Sequence, residues 1–332
     1  MATRRLDSSP RILPLYARAV APLLPGASRL PWVAGAAREV PDLRLTLSRV
    51  PIDPERVARY ERVCAFTARG HVPATYVHVL AFPLHLALMA DGSFPFPAIG
   101  LVHVTNQIIQ HRPIGHAERL DLEVRATPLQ PHRRGRTFSI VSTAHVDGEL
   151  VWEETSTMLR RGAHGHASAG DGEPAGSDAP VSSEAHADDE GTPSHSSPPQ
   201  QASSEWRLPG DLGRRYAAVS GDRNPIHLHA LTARALGFPR AIAHGMWTKA
   251  RCLAALQDAH ADLRQGAFAI EVGFRRAILL PATVRFDSVA EADDVSFGVR
   301  EAASEGIHLA GRLRPLHGGS PANTSRQQEE AQ

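Results

Sequence analysis

Residues 74–89 read ATYVHVLAFPLHLALM, and residues 240–256 read RAIAHGMWTKARCLAAL. Each stretch predicts a long apolar helix, which the rest of the chain must cover on most sides. The first predicts a helix that follows His78, because Pro83 is tolerated only near the start of a helix. The second predicts a helix that begins near Gly245.

Strand-like sequence follows each predicted helix after a short connection. Apolar residues alternate with polar ones most clearly over residues 150–159 and 282–289, a pattern that indicates strands with one buried face. Between two such runs, Asp147 and Gly148 form a dipeptide that predicts a tight hairpin turn.

The two halves of the chain resemble each other in order and spacing. His78 and His244 are 166 residues apart, and so are Gly100 and Gly266. Each half combines one apolar helix with several antiparallel strands, and a curved sheet wrapped around the helix would bury it. The sequence therefore predicts an α+β protein with a double hot-dog fold.

A polar segment over residues 163–204 separates the halves and lacks Leu, Ile, Phe, Trp, Arg and Lys. It cannot bury enough apolar area to offset its ordering entropy, so it predicts a disordered linker. Its histidines lack the regular spacing of a metal-ligand set. The other predicted segments are a partly ordered leader (1–44), a first unit (45–162), a second unit (205–314) and a disordered tail (315–332).

Composition excludes several classes of protein. A net charge of +1 gives no broad field that would attract nucleic acid or an anionic membrane. Two cysteines, Cys64 and Cys252, exclude a disulfide framework and a cysteine-built zinc site, and each is expected to be buried. No apolar run approaches the ~20 residues of a membrane span. The arginine-rich N-terminus lacks an apolar stretch with a cleavage site, so we expect a cytoplasmic protein.

The second unit contains the sequence YAAVSGDRNPIH over residues 216–227. Gly221 and Pro225 bracket a tight, non-helical turn that presents Asp222 and His227 on one short loop. An Asp and a His so placed can bind one water, with one side chain taking its proton while the other orients it. A purely structural interpretation remains open, in which Asp222 caps a helix and His227 lies on its surface.

The sequence AHGM at residues 243–246 follows, where the second long helix is predicted to begin. The first backbone N–H groups of a helix are unpaired and lie at the positive end of its dipole. Because Gly245 has no side chain to block close approach, this helix start predicts an oxyanion hole for a thioester carbonyl.

These two motifs together resemble the hydratase 2 signature of the MaoC-like dehydratase family. Residues 273–286, GFRRAILLPATVRF, resemble the strand pair that follows the helix in that family, and the first unit resembles the inactive half of its two-domain members. The resemblance implies hydration of trans-2-enoyl thioesters to (R)-3-hydroxyacyl thioesters, or the reverse dehydration. It implies no cofactor beyond the coenzyme A of the substrate, which an acyl carrier protein can replace.

The resemblance also implies roles for individual residues. Asp222 and His227 would be the catalytic pair that holds the water, and the Gly245 N–H would hold the thioester oxygen. Asn224 would support the loop or contact the substrate. The full predicted oxyanion and substrate group consists of Gly245, Asn224, Ser220 and His244, and no metal ligands are predicted.

The first unit has no comparable loop. It contains several histidines, but no carboxylate lies at a matching distance in the sequence, so they are expected to be core or rim residues. These histidines are His71, His78, His85 and His103. We therefore expect this unit to be catalytically silent and to form the wall of a tunnel for a long or bulky acyl group.

Four basic residues are expected near the mouth of the site, where they would meet the phosphates of coenzyme A or remain solvated. They are Arg240, Lys249, Arg275 and Arg276. The two units are expected to meet face to face as a pseudo-dimer within one chain, and further homodimerisation is left open.

Two other functions compete with the hydratase interpretation. One is a thioesterase on the same fold, which the close match of Asp222 and His227 to the hydratase loop disfavours. The other is a non-catalytic acyl-thioester-binding subunit, which would not need to keep Asp222, Asn224 and His227 together.

Overall fold

The computed structural model describes residues 2–20, 39–161, 200–260, 263, 266–291, 294–304 and 306–316. The predicted linker as far as residue 199 and the predicted tail from residue 317 lie outside these described residues. The first half contains β1 (Ala2–Leu6), α1 (Ile12–Val20), β2 (Leu43–Pro51), α2 (Pro54–Cys64), α3 (Ala74–Met89), β3 (Leu101–Gln110), β4 (Arg119–Ala126), β5 (Gln130–His132), β6 (Gly135–Val146) and β7 (Glu149–Arg161). The second half contains β8 (Gln200–Leu208), α4 (Leu212–Ser220), α5 (Pro225–Leu228), α6 (Ala230–Ala235), α7 (Gly245–Ala259), β9 (Ala267–Phe274), β10 (Ala282–Glu291), β11 (Asp294–Glu301) and β12 (Ile307–Leu316).

The strands form one twelve-stranded sheet in the order β1-β2-β4-β6-β7-β3-β9-β12-β11-β10-β8, with β5 paired to β6. The halves join where β3 and β9 pair antiparallel, from Thr105 opposite Gly273 to Gln110 opposite Phe268. The units therefore pair edge to edge, and the prediction that they meet face to face is wrong. Edge pairing is favoured because it satisfies backbone groups that two separate sheets would leave exposed.

One long helix occupies the core of each unit. In α3, 13 of 16 residues are buried, and the helix contacts β2, β3, β4, β6 and β7. In α7, 10 of 15 residues are buried. Both helices contribute to one hydrophobic core that also contains Trp152 of β7 and Phe268 of β9. The predicted α+β double hot-dog fold is confirmed.

The start of α3 differs from the prediction. The helix begins at Ala74, so Pro83 lies in its interior and a start after His78 is wrong. Burial of nearly the whole helix outweighs the backbone hydrogen bond that an interior proline removes. His244 is the N-cap of α7 whereas the N-cap of α3 is Pro73, so His78 and His244 do not occupy equivalent places.

The structure contains counterparts of two other features of the sequence, the paired glycines and the hairpin turn. Gly100 and Gly266 immediately precede β3 and β9, so their shared spacing marks equivalent strand starts. Asp147 and Gly148 join β6 to β7 with φ angles of 49° and 87°, the left-handed conformations that a two-residue hairpin turn requires.

The leader was predicted to be partly ordered, and its described residues contain two elements, β1 and α1, that were not predicted individually. Strand β1 pairs parallel with β2, from Ala2 opposite Leu43 to Leu6 opposite Leu47. Helix α1 packs on the end of α3 through a small apolar cluster. The buried members of this cluster are Leu15, Ala19, Leu86, Ala90 and Ile99.

Strand β8 begins at Gln200, four residues before the predicted end of the linker, and pairs antiparallel with β10. From Ala202 to Leu208 only Trp206 and Leu208 are buried, so the first residues of the strand do not alternate between apolar and polar side chains.

Cys64 and Cys252 are both buried and unpaired, as expected. None of the helices in the described part of the chain combines the length and apolar character needed to cross a bilayer.

Candidate active site

The loop between α4 and α5, residues 221–224, carries the predicted carboxylate. Gly221 ends α4 in the left-handed conformation, with φ of 77°, and its N–H donates to the Ala217 carbonyl. Asn224 then caps α5, where its side-chain oxygen accepts from the Ile226 N–H at 3.4 Å. One helix therefore ends and the next begins around Asp222, which fixes the backbone at that residue.

Three hydrogen bonds hold Asp222 in place. Its Oδ1 atom accepts from the Asn224 N–H at 3.1 Å and from the Tyr16 hydroxyl at 2.7 Å. The Asp222 N–H donates to Ser220 Oγ at 3.1 Å. Ser220 and Asn224 thus shape the loop, and their predicted contact with substrate stays a prediction.

His227 lies in α5 with one ring nitrogen bonded and the other free to act. Its Nδ1 atom is 2.8 Å from the Ile242 carbonyl oxygen. Because a carbonyl only accepts, Nδ1 carries the hydrogen and Nε2 carries a lone pair. Burial lowers the pKa of His227, with Asp222 and the bond to Ile242 opposing that shift. The imidazole is therefore neutral at pH 7 and has a basic Nε2.

His244, the N-cap of α7, stacks on His227 with ring centroids 3.6 Å apart. Its Nε2–H donates to the Asp222 backbone carbonyl at 3.1 Å, and the same atom is 3.8 Å from Asp222 Oδ2. Burial is the larger cause and the neighbouring His227 the smaller cause that together lower the pKa of His244 to about 3. Its Nδ1 is buried with no hydrogen-bond partner among the described residues.

Asp222 is ionised in this environment. Burial would raise its pKa, but His244, His227, the Tyr16 hydroxyl and the Asn224 N–H together outweigh burial and lower it. Asp222, His227 and His244 each bring one oxygen or nitrogen atom to within 4.8 Å of the others. The site therefore combines an ionised carboxylate with a neutral imidazole, an arrangement suited to holding and deprotonating a water.

The predicted oxyanion glycine lies beside this group. Gly245 is the first residue of α7, and the side chain of the preceding His244 makes no capping bond. A Cβ atom at Gly245 would lie 2.9 Å from Cε1 of Phe274, so the aromatic ring already occupies that space. A larger residue here would have to displace the Phe274 ring or the start of α7, while the role of Gly245 as an oxyanion donor stays a prediction.

A second buried polar cluster lies in the first unit. The Nδ1–H of His78 donates to both Glu154 carboxylate oxygens at 2.8 and 2.9 Å, and the Asn106 amide donates to Glu154 Oε1 at 2.7 Å. His85 Nε2 is 2.7 Å from Ser142 Oγ. Spacing in the sequence could not show this carboxylate, because β7 brings Glu154 back across α3 from 76 residues beyond His78. His78 and His85 are buried, which agrees with their expected place in the core.

The surroundings of Glu154 explain its charge. Burial would raise its pKa, but His78, His85 and the Asn106 amide outweigh burial and lower it to about 2. Alternation along β7 placed Glu154 on the same buried face as Trp152, so the sequence held a signal for it. Glu154, His78 and His85 also approach one another closely enough to surround a cation, although no metal site was predicted there.

Lys249 belongs to this cluster and not to the mouth of the site. It is fully buried in α7, where its Nζ donates to the Asn106 side-chain oxygen and to the Ile270 carbonyl. Burial lowers the pKa of Lys249 to about 7. Its expected place near the mouth of the site is therefore wrong, because this part of α7 is enclosed by the core. The other three basic residues, Arg240, Arg275 and Arg276, are exposed.

Comparison with known proteins shows the family to which this chain belongs. Residues 193–309 match the family described as "MaoC like domain". The 3-hydroxyacyl-thioester dehydratase X of Mycobacterium tuberculosis is 33% identical over 285 residues, which cover 84% of this chain and 91% of that protein. The chain belongs to the MaoC-like dehydratase family. The resemblance inferred from YAAVSGDRNPIH and AHGM is thereby confirmed.

Solved structures agree with this placement. The crystal structure of HtdX of Mycobacterium tuberculosis matches with a TM-score of 0.66 and 32% identity, covering 82% of this chain and 100% of that chain. A MaoC-like dehydratase from Phytophthora capsici matches with a TM-score of 0.62 and 16% identity, covering 86% of this chain and 98% of that chain. The second comparison shows the shared fold alone.

Proposed function

We propose that this MaoC-like chain is a hydratase/dehydratase that interconverts trans-2-enoyl and (R)-3-hydroxyacyl thioesters. The observation that carries the proposal is the pairing of an ionised Asp222 with a neutral His227 beside the start of α7. The dehydratase named among its relatives supports the same reaction class. The (R) configuration rests on the family resemblance.

In the hydration direction, a water held between Asp222 Oδ2 and His227 Nε2 would attack C3 of the enoyl group. The water loses one proton to the pair, and its oxygen forms the new bond to C3. The π electrons move toward the thioester carbonyl, and C2 then takes up a proton from the pair. The Asp222–His227 unit therefore ends the cycle in its starting protonation state, and dehydration is the same sequence in reverse.

The N–H at Gly245 would stabilise the negative charge that develops on the thioester oxygen. A single preorganised donor of this kind is typically worth about 3 kcal/mol in the transition state. Phe274 packs against Gly245, so the next two residues of the chain, Arg275 and Arg276, lie near the site and are exposed. Together with Arg240, they are the candidates to meet the phosphates of coenzyme A or of a carrier protein's prosthetic group.

The test is to follow the enoyl-thioester absorbance with crotonyl-CoA and with a long-chain enoyl-CoA. We expect the absorbance to fall, chiral analysis to give the (R)-3-hydroxyacyl product, and no free thiol to appear. Release of free thiol would instead indicate a thioesterase. Binding without turnover of either CoA ester or the acyl-carrier-protein ester would indicate a non-catalytic acyl-binding subunit.

Several finer statements belong to this proposal. A preference for the longer acyl chain would support the first unit as a tunnel wall, and equal turnover of both chains would count against it. The cytoplasmic location and the absence of a metal remain predictions, and further homodimerisation is left open.

A further inference from the structure

The first 20 residues form an arm that is anchored on the first unit. Strand β1 extends the sheet beside β2, and Arg4 pairs with Asp91 at 2.9 Å. Leu15 and Ala19 on α1 are buried against the apolar end of α3. We call residues 2–20 the N-terminal arm.

The same face of α1 continues onto the loop that carries the catalytic carboxylate, since Ile12 and Tyr16 lie beside Leu15 and Ala19. The Tyr16 hydroxyl donates to Asp222 Oδ1 at 2.7 Å and accepts from the Arg223 N–H at 2.8 Å. Ile12, one turn earlier, lies so close to Gly221 that a Cβ atom there would collide with its side chain. The arm thus crosses from the first unit to the active-site loop of the second.

We propose that Tyr16 is a positioning residue for Asp222, supplied by the N-terminal arm, so that an arm anchored on the first unit completes the active site of the second. This inference rests on the proposed role of Asp222 in the hydratase reaction. The tyrosine hydroxyl and the Asn224 N–H both bind Oδ1, which leaves Oδ2 as the carboxylate oxygen on the side of His244. Rotation of the carboxylate would break two hydrogen bonds at once.

Tyr16 remains a donor throughout the working pH range. Burial and the charge of Asp222 raise the pKa of its hydroxyl far above the usual value of a phenol. The hydroxyl bond in turn lowers the pKa of Asp222. The titratable and charged groups around Asp222 are Tyr16 on α1, Tyr216 on α4, Arg223 in the loop, His227 on α5 and His244 before α7.

The test compares the full chain with its Tyr16→Phe variant, which keeps the ring and removes the hydroxyl. We expect kcat to fall roughly tenfold with little change in KM, because a hydrogen bond to a charged group is lost while the substrate surface stays intact. The acid limb of the kcat/KM profile should move to higher pH, since the pKa of Asp222 rises. Leu13→Ala, on the exposed side of the same helix, is the matched control and should change neither quantity.

A second readout does not depend on turnover. The carboxyl carbon of Asp222, identified in labelled protein by its absence in Asp222→Asn, should titrate at higher pH in Tyr16→Phe than in the unmodified chain. An unmoved titration in the folded variant would overturn the positioning role, whatever the activity. Absence of turnover in the unmodified chain would instead overturn the proposed function and leave the titration to decide the role of Tyr16. Should Tyr16→Phe fail to fold, Tyr16→Leu gives the same comparison, because its apolar side chain also lacks a hydrogen-bond donor.

Discussion

The imidazole rings of His227 and His244 stack with centroids 3.6 Å apart, and each donates one N–H to a backbone carbonyl. The two bonds assign opposite nitrogens to the two rings, Nδ1 in His227 and Nε2 in His244. His227 Nε2 is therefore the basic nitrogen that remains for chemistry near Asp222. His244 holds the loop through the Asp222 carbonyl and stays neutral, because burial lowers its pKa to about 3.

The first prediction concerns the base itself. His227→Asn keeps a side-chain N–H that can reach the Ile242 carbonyl, but it removes the lone pair of Nε2. We expect kcat to fall by about 10²- to 10⁴-fold, the usual contribution of a positioned general acid–base. Steady-state kinetics with an enoyl-CoA would measure it. The exposed neighbour His229, whose side chain caps no helix, gives the control variant His229→Asn, which should retain full activity.

The second prediction concerns the helix start. In Gly245→Ala the added methyl group would lie 2.9 Å from the Phe274 ring, so either the ring or the start of α7 must shift. We expect at least a tenfold loss of kcat/KM from displacement of the backbone N–H, as single oxyanion donors are worth about 3 kcal/mol. Gly210→Ala is the control, since its Cβ would sit at an ordinary 3.8 Å from Pro281. Equal activity of the two variants would remove Gly245 from the proposed site.

The third prediction separates two roles of basic residues. Lys249→Met leaves the buried Asn106 and Ile270 oxygens without their donor, which costs about 1–3 kcal/mol of folding free energy for an unsatisfied group. Urea denaturation should show this loss, while the KM for a coenzyme A thioester in the folded fraction should not change. Arg275→Ala should show the reverse pattern, with a raised KM that depends on salt. A raised KM in Lys249→Met alone would contradict the buried placement.

These cases show how far the sequence reached. It predicted Asp222, His227 and Gly245 as site residues because all three lie on short, contiguous motifs whose geometry is local, and their roles stay predictions. It did not identify Tyr16, which contacts Asp222 from 206 residues away and whose neighbours in the sequence give no catalytic signal. A contact made only by tertiary packing leaves no spacing pattern in the chain.

The fold likewise contains features that local sequence predicts and features that only tertiary packing decides. The Asp147–Gly148 turn and the strands on either side follow from local conformational preference and alternation. The start of α3 does not follow from local preference, because burial of the helix outweighs the cost of a proline, Pro83, in its interior. Edge pairing of β3 with β9 was also missed, since the sequence of a strand does not tell which edge becomes its partner.

The fourth prediction concerns stability against pH. Burial lowers the pKa of His85 and of His244 to about 3, well below their value in an unfolded chain. As pH falls below about 6.5, these two histidines bind protons in the unfolded chain but stay neutral in the folded chain. The free energy of unfolding therefore decreases between about pH 6.5 and pH 3. Urea denaturation at pH 7.5 and pH 5 should show lower stability at pH 5. His85→Gln, which stays neutral, should reduce that difference, and equal stability of the unmodified chain at both pH values would contradict the burial of these groups.

The most direct test of the central claim is the rate of enoyl-thioester hydration in the Asp222→Asn variant. The exposed Asp211 at the start of α4, whose side chain makes no capping bond, supplies the matched control Asp211→Asn. We expect Asp222→Asn to lose at least about 10²-fold in kcat while its KM and thermal stability stay close to those of Asp211→Asn. Turnover by folded Asp222→Asn at the rate of the control would show that the carboxylate does not serve the reaction.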